Sequence, residues 1–579
     1  MPPEHQHPEI KLLLQTAERH IGAGQFAAAV PILLQAAERF PDDCVVLERL
    51  ADAYRLNDQL IPAITAYDRL IELGAATASN WRWIGNLMSD LGEFAQALAA
   101  FEHGLKIEPA DPEMHHNLAK ACYKLGQVDR AVEHFEIAIA HADAEVSWSS
   151  LATMIPAAPA ASHQKVLDVR REFARRLAAS ELAAGESAAS ENDALPKVAA
   201  TVPRHDRLRI GYLSSFFDGF NYMKPVWGLI NHHNRERFQI TLFSDGSAAK
   251  GMPGYNPQSA DRIQQTADLT TGQLADLIRN AEIDILVDLN AYSTVQRLPL
   301  FLQKCAPLTV AWFNMYATSG LPAFDYIVGD DEVIRPDEEP LYSERVLRLP
   351  VSYLTFEVTH PAPPVVPPPC SKNGRITFGS LVSQYKITSE VLDRWSEILR
   401  RTQDTSLLLA NTMLKSKCNR EFVIEQFSRR GVAPDRLELC GPAPHWEFLK
   451  YYDRIDVALD AFPYNGGTTT MEAIWQGVPV LTFDGDRWAS RTSQTLLRRC
   501  HLKEFVTGDA AGMVQTAVDL TQDPQSRTKL GTLRSEMRTR LAASPVCNAA
   551  AMARGMERLY GQIWTAHVAG ATPPGGIGF

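Results

Sequence analysis

Eight cysteines among 579 residues form no CxxC pair, which excludes a zinc knuckle and leaves no basis for a disulfide framework. Scattered at 44, 122, 305, 370, 418, 440, 500 and 547, most of them read as small buried hydrophobes. No apolar run reaches the ~18 residues that a membrane helix needs, and the start MPPEHQHPEIK lacks the charged-then-apolar order of a secretory signal. The expectation is a cytoplasmic protein with no membrane span. Basic blocks are missing too, and the formal charge is −11, so nucleic acid and anionic membrane are excluded as main partners. The chain is too long for one hydrophobic core, and ~100–200 residues per domain gives three or four.

What is there starts with a repeat. At an offset of 34 residues, Ala29, Ala63, Ala97 and Ala131 align, as do Leu33, Tyr67, Phe101 and Phe135, and also Ala17, Ala51, Gly85 and Ala119. Small residues where two helices cross, with a large one four positions after the second alanine, are what a stacked helix pair needs. Pro41 and Pro109 close two of the units. The stretch from residue 8 to residue 145 resembles tetratricopeptide repeats, four in number. Such repeats stack into an all-α superhelix whose concave face holds an extended peptide or another protein.

Residues 146–204 follow as a helical linker: HQKVLDVRREFARRLAASELA reads as a helix, and AAGESAASENDALPKVAATVPRHD is rich in Ala, Ser and Pro. From Arg207 the period changes. RLRIGYLSS, FQITLFS, IDILVDL, LTVAWF and YIVGDD are short apolar runs. After the proline-dense HPAPPVVPPPCSKNG, alternation resumes with RITFGSL, SLLLAN, RLELCG, VALDAF and VPVLTF between helix-length segments. Strand and helix in regular turn imply parallel sheets joined by right-handed crossovers, and the prolines, unable to enter a sheet, mark a hinge. The predicted class is α/β: two doubly wound Rossmann-like lobes at 205–368 and 369–548, a C-terminal helix and tail at 549–579, and the repeats at 1–145 in front.

The sharpest chemistry lies in FPYNGGTTTMEAIWQGVPVLTF, Phe462 to Phe483, where a strand hands over to a helix. A helix start carries unpaired N–H groups and the positive end of the dipole, and glycines in front let an anion approach the main chain. In one reading Gly467 and the hydroxyls of Thr468, Thr469 and Thr470 cradle phosphate, and Glu472 accepts hydrogen bonds from a ribose. In the other the same letters are an ordinary N-cap over a tight turn. Lys386, just past the first strand of this lobe in RITFGSLVSQYKIT, is predicted to face the same cleft. An ammonium there would neutralise a diphosphate and stabilise it as it departs. Ligands of doubly wound sheets bind beyond the carboxyl ends of the strands, so the cleft between the lobes is the expected site.

RIGYLSS, KCAPLTVAW, ATSG, FDYIVGDDE, LYSERVLRLP, QYKI, DVALDAFPYNGGTTTMEAIWQGVPV and GDRWASR stand in this order behind the repeats. Over residues 8–565 the chain resembles the O-GlcNAc transferase and Spindly group, glycosyltransferase family 41. The resemblance implies a GT-B arrangement of the two lobes and an inverting, metal-independent transferase of bacterial type. It implies a nucleotide-sugar donor as substrate, UDP-GlcNAc first, with no cofactor, and a Ser or Thr acceptor on a protein held by the repeats. It places Lys386 at the departing diphosphate, Thr468 and Thr469 as donors to it, Glu472 on the ribose, and Ala443, in GPAPHWEF, at the nucleobase. Ser383 takes a place where relatives carry Gln or Asn, and Arg491, in the ASR element, receives no role.

The chain also departs from that family. Gly467 stands where relatives show a histidine before the threonines, and Phe448 where a histidine stacks on the base. In SSFFDGFNYMK, Phe220 and Lys224 fill the positions of two histidines. With the usual acid/base histidines gone, Asp218, Tyr292 and Lys224 are the candidates for the general base. GDD at 329–331 reads as a turn, not a metal site. Two other readings stay open within the class, a GDP-fucose donor and a flagellin or adhesin modifier. From another class comes a catalytically inactive repeat scaffold that only binds protein. A homodimer through the convex face of the repeats also stays open.

Overall fold

The computed structural model describes residues 8–183, 206–219, 221–358 and 361–571. They fall into two compact units, the first of residues 8–144 with Ser416–Phe422, the second of the remaining described residues from Glu145 onward.

The described part of the first unit pairs eight helices: α1 (Pro8–Gly22), α2 (Phe26–Arg39), α3 (Cys44–Leu56), α4 (Leu60–Glu72), α5 (Ala78–Asp90), α6 (Phe94–Ile107), α7 (Pro112–Lys124) and α8 (Val128–His141). Side chains written into the sequence start several of them. Asp43 accepts from the N–H groups of Val45 and Val46 at 3.0 Å each, Thr77 and Asn80 form a capping box, and Asp111 caps α7 with Pro112 at its first position. The alanines and the large residues of the 34-residue pattern are buried between the helices, each large side chain contributing about 1.5–3 kcal/mol. At Gly85 a Cβ would fall 2.4 Å from the Phe101 ring, so this copy has given up the methyl to seat the ring. A fourth register shows only in the backbone: Gly24, Asp58, Gly92 and Gly126, each at a helix end, take left-handed φ values of 71°, 58°, 79° and 85°.

The described second unit holds two parallel sheets. In the first lobe β1 (Leu208–Ser214), β2 (Phe238–Ser244), β3 (Arg262–Gln265), β4 (Ile285–Asp288), β5 (Leu308–Ala311), β6 (Tyr326–Gly329) and β7 (Arg345–Arg348) lie in the order 3-2-1-4-5-6-7. In the second, β8 (Thr377–Ser380), β9 (Ser406–Ala410), β10 (Leu437–Cys440), β11 (Val457–Leu459), β12 (Val480–Phe483) and β13 (Val506–Thr507) lie in the order 10-9-8-11-12-13. Each apolar run read as a strand contains one. Three strands lacked that signal: β3 is a polar edge, RIQQ, β7 is an edge flanked by arginines, and β13 has two residues.

The helices read at 163–183 and from 549 onward are present, and the structure adds where they pack. The region taken as a linker contributes helices Glu145–Met154 and His163–Ala183 to the second unit. Buried Arg170 fastens them, donating to the carbonyls of Ala152 (3.0 Å), Met315 (3.2 Å) and Thr318 (2.7 Å); residues 184–205 lie outside the described residues. The C-terminal helix Ala549–Val568 returns to the first lobe. There Glu557 Oε1 accepts from the Asn234 N–H (2.6 Å) and pairs with His233 Nδ1 (3.1 Å), and the Tyr560 and Tyr212 hydroxyls meet at 3.2 Å.

Candidate active site

β8 and β11 are neighbours in the sheet, so the segments beyond their carboxyl ends emerge side by side. Past β11, buried Asp460 folds the loop: Oδ1 accepts from the N–H groups of Ala461 (3.0 Å) and Gly466 (3.1 Å), and Oδ2 from the Thr482 hydroxyl (2.8 Å). Asn465 locks the next corner, its N–H donating to Ala489 O (2.8 Å) and its amide to Ala461 O (2.7 Å). The carbonyl of Asn465 meets the segment past β8, where Lys386 Nζ donates to it at 2.7 Å and lies 4.0 Å from the centre of the Tyr464 ring. Burial pulls the Lys386 ammonium down to about 8, against the pull of Asp460. Burial pushes Asp460 up to about 6, against hydrogen bonds from Ser493, Gly466 and Thr482.

Helix Thr468–Trp475 begins at this corner, with Gly467 as an N-cap that offers no side-chain bond. Its first-turn N–H groups have no acceptor within their own helix. Gly466 is sterically required, since a Cβ would fall 2.4 and 2.8 Å from the hydroxyls of Thr469 and Thr470. Gly467 is not: an added Cβ meets nothing nearer than Thr492 Cγ2 at 3.7 Å. Thr468 and Thr469 are half-buried beside Lys386's corner. Thr470 is turned inward, its hydroxyl 2.8 Å from Ser493 Oγ, which donates to Gly466 O at 3.1 Å. Thr470 therefore braces the turn, and the ligand role read for it from the sequence does not fit its burial.

Glu472 is buried one turn on. Its Oε1 pairs with Lys224 Nζ (2.7 Å) and His445 Nε2 (2.9 Å). Lys224 reaches it from the first lobe, at the start of helix Lys224–Asn231. Burial pulls Lys224 below the ordinary lysine value, against Glu472. Burial alone would raise Glu472, but His445 and Lys224 outweigh it and hold the carboxyl below the ordinary value. Ala443 and Phe448 lie half-buried on either side of His445 in the segment after β10, Phe448 edge-on to Tyr451 with ring centres 5.9 Å apart. Ser383 is exposed just before the turn Gln384–Lys386.

The candidates for a base fare differently. The Tyr292 hydroxyl donates to Ser319 O at 2.6 Å, its ring lies beneath the Arg170 guanidinium at 3.9 Å, and burial pushes the phenol above its ordinary range. That makes Tyr292 a packing residue, correcting the catalytic role. Asp218 accepts from the Ser247 N–H (3.3 Å) and sits 3.7 Å from Lys250 Nζ, which ties it to the loop after β2. Lys224 is committed to Glu472, and Phe220 lies outside the described residues.

Arg491, which the sequence left without a role, grips Glu338 of the first lobe with both terminal nitrogens at 2.7 Å and donates from Nε to Gly485 O at 2.7 Å. Thr495 adds a bond to Asp330 (3.1 Å), and Tyr353 meets Thr492 (2.9 Å). No local spacing announces such pairs. Among the described residues, no three His, Cys, Asp or Glu side chains are grouped to hold a metal ion.

Comparison with known proteins bears on the family and the fold. The profile of glycosyl transferase family 41 matches residues 168–360 and 372–556, and a tetratricopeptide repeat profile matches residues 89–155. The chain is 29% identical over 374 residues to the probable UDP-N-acetylglucosamine–peptide N-acetylglucosaminyltransferase SPINDLY of Arabidopsis thaliana, covering 63% of this chain and 40% of that protein. With the protein of the same name from Oryza sativa subsp. japonica it shares 30% over 388 residues, 65% of this chain and 40% of that protein. The chain thus spans about two fifths of the length of these curated relatives. Among solved structures, a lysine-to-methionine variant of the Thermobaculum terrenum O-GlcNAc transferase superposes with a TM-score of 0.74 at 27% identity, over 91% of this chain and 98% of that one.

Proposed function

The chain belongs to glycosyl transferase family 41, and from that premise we propose that it moves a sugar from a nucleoside diphosphate donor to a side chain of a protein. The observation that carries this is the Lys386 ammonium seated on the Asn465 carbonyl, beside the amino end of helix Thr468–Trp475. A diphosphate at that corner accepts from the first-turn N–H groups, from the Thr468 and Thr469 hydroxyls and from Lys386. Glu472, its Oε1 held by Lys224 and His445, accepts from the ribose through Oε2, with Ala443 and Phe448 toward the base. The names of the relatives support UDP-N-acetylglucosamine as the first donor to try and a Ser or Thr hydroxyl as the acceptor, with the repeat unit binding the acceptor chain.

In a single displacement the acceptor oxygen bonds to the anomeric carbon as the bond from that carbon to the diphosphate oxygen breaks. The electron pair leaves on the diphosphate, the hydroxyl proton passes to a base, and the configuration inverts. Lys386 and the helix dipole take up the developing charge, so in this reading neither a metal ion nor a cofactor enters the step.

A thermal-shift panel of UDP-, GDP- and CMP-sugars tests the proposal. A donor at about 100 times its Kd is expected to stabilise the protein by about 2.7 kcal/mol, and Lys386→Ala to abolish the shift. No shift with any donor would leave the second reading, a repeat protein that binds without catalysis. That reading has one observation in its favour: the Lys224–Glu472 pair already spans the cleft.

A further inference from the structure

Beside the diphosphate corner the second lobe carries a groove that the proposed reaction leaves unused. It encloses about 730 Å³, a volume within the ~300–1,000 Å³ that ligand sites occupy. Its walls continue the two segments that build the corner: Glu390 stands four residues past Lys386, and Pro463 two before Asn465. The Thr388 hydroxyl donates to Phe462 O at 3.2 Å and ties one wall to the other. Four extended residues span at most about 14 Å, so the rim at Glu390 lies within that length of Lys386.

The floor is apolar, formed by Phe462, Pro463 and Phe483, with the two rings edge-on at 4.9 Å between centres. The rim is charged, and its charges do not cancel. Arg335 pairs with Asp484, Arg487 with Asp486 at 2.7 Å, and Arg394 with Glu397 at 3.3 Å. Asp393 is matched from outside the groove by Arg430 at 2.6 Å. That accounts for every arginine on the rim and leaves two exposed carboxylates, Glu390 and Asp509, with no cation paired to them among the described residues. Asp509 spends one oxygen on the Gly512 N–H (2.7 Å), capping helix Ala510–Gln522. An anion entering here would meet uncompensated negative charge. A cation on an aliphatic stem instead lays its methylenes on the rings and brings its charge to the carboxylates. Lys and Arg side chains have that build, and a polypeptide is the molecule that the proposed reaction brings to this cleft.

We propose that this groove holds the acceptor segment flanking the modified residue, with a Lys or Arg about four residues from that residue seated at Glu390 and Asp509. That the segment belongs to an acceptor rests on the transfer reaction above; that it is cationic rests on the groove alone. The test is fluorescence anisotropy of the full chain, without donor, against labelled decapeptides of Ala, Val and Pro around one Thr, with Lys, norleucine or Glu four positions before or after it. Lys is expected to bind about threefold more tightly than norleucine, as an exposed ion pair allows, and Glu most weakly. Glu390→Lys should invert that order, whereas Glu536→Lys, the same reversal at an exposed position of helix Ser526–Ala542, should leave it as in wild type. Glu390→Gln combined with Asp509→Ser, which keeps a capping hydroxyl, should erase it. An order that survives in both groove variants, an inversion by Glu536→Lys as well, a wild-type preference for Glu or for neither charge, or no peptide bound more tightly than about 1 mM overturns this inference. The expected order together with no nucleotide sugar raising the melting temperature would condemn the transfer reaction alone and leave the groove as a docking site for a cationic chain.

Discussion

In the repeat unit left-handed residues recur every 34 positions at Gly24, Asp58, Gly92 and Gly126; in the first lobe four side-chain-bearing residues past the ends of β4 and β5 take the same conformation, Ala291, Phe313, Asn314 and Tyr316. The conformation is the same and the energetics are not. Glycine enters that region without a Cβ clash, so the repeats close their turns at little cost, and Asp is among the better substitutes. A phenylalanine or tyrosine there raises the energy of the folded state, which the lobe accepts because Arg170, Trp312 and Asn314 tie the loop down. Regular architecture spreads its special backbone evenly and cheaply. The cleft concentrates costly backbone where side chains must point at something other than the core.

The comparison can be broken at several points. Lys386→Ala should lower kcat about 10²–10³-fold, read in a transfer assay, with the melting temperature little changed. Asn314→Val places a β-branched residue at a φ of 63° and should destabilise the second unit by about 2 kcal/mol in denaturant unfolding, whereas Asn314→Gly should not. The pH dependence comes next. Lys386, at about 8 instead of 10.5, is charged below that value and neutral above it, so diphosphate affinity should fall by up to about tenfold per pH unit above 8. Lys386→Met should flatten that slope in calorimetry. Between those two values the unfolded chain holds this proton more tightly than the folded one, so the stability of the ligand-free protein should rise with pH there. Gly92→Ala should destabilise the repeats by about 1 kcal/mol without changing turnover per folded molecule. Asp58→Gly should stabilise them by a few tenths of a kcal/mol, because it removes the one side chain from the periodic turn set; destabilisation would show that Asp58 is more than a tolerated substitute.

Legibility in the sequence followed the range of the interactions. The 34-residue pattern and the apolar strands were readable because each copy or run carries its own signal, and the glycine–threonine turn with Lys386 because both lie just past strand ends that the alternation locates. β3 was not, since RIQQ is polar on an exposed edge. The helix at 163–183 was legible but its packing was not, because its anchor, Arg170, bonds residues 145 and 148 positions away. The same holds for Arg491 with Glu338 and Lys224 with Glu472, 153 and 248 positions apart. Thr470 is indistinguishable from Thr468 in the sequence; only depth assigns its hydroxyl to Ser493. The strain at Phe313 leaves no trace in residue type.

The return of helix Ala549–Val568 to the first lobe makes the second lobe an insertion within it. On a ribosome, Ala549 appears roughly 200 residues after β7, a wait of about 10–40 s at 5–20 residues per second. Throughout that interval the nascent first lobe lacks the partner of His233 and Tyr212 and keeps an apolar face uncovered. The first lobe therefore completes its packing only after the second lobe has been made, even though its strands come first, and a nonsense codon anywhere before residue 549 would strand both lobes, not only the later one.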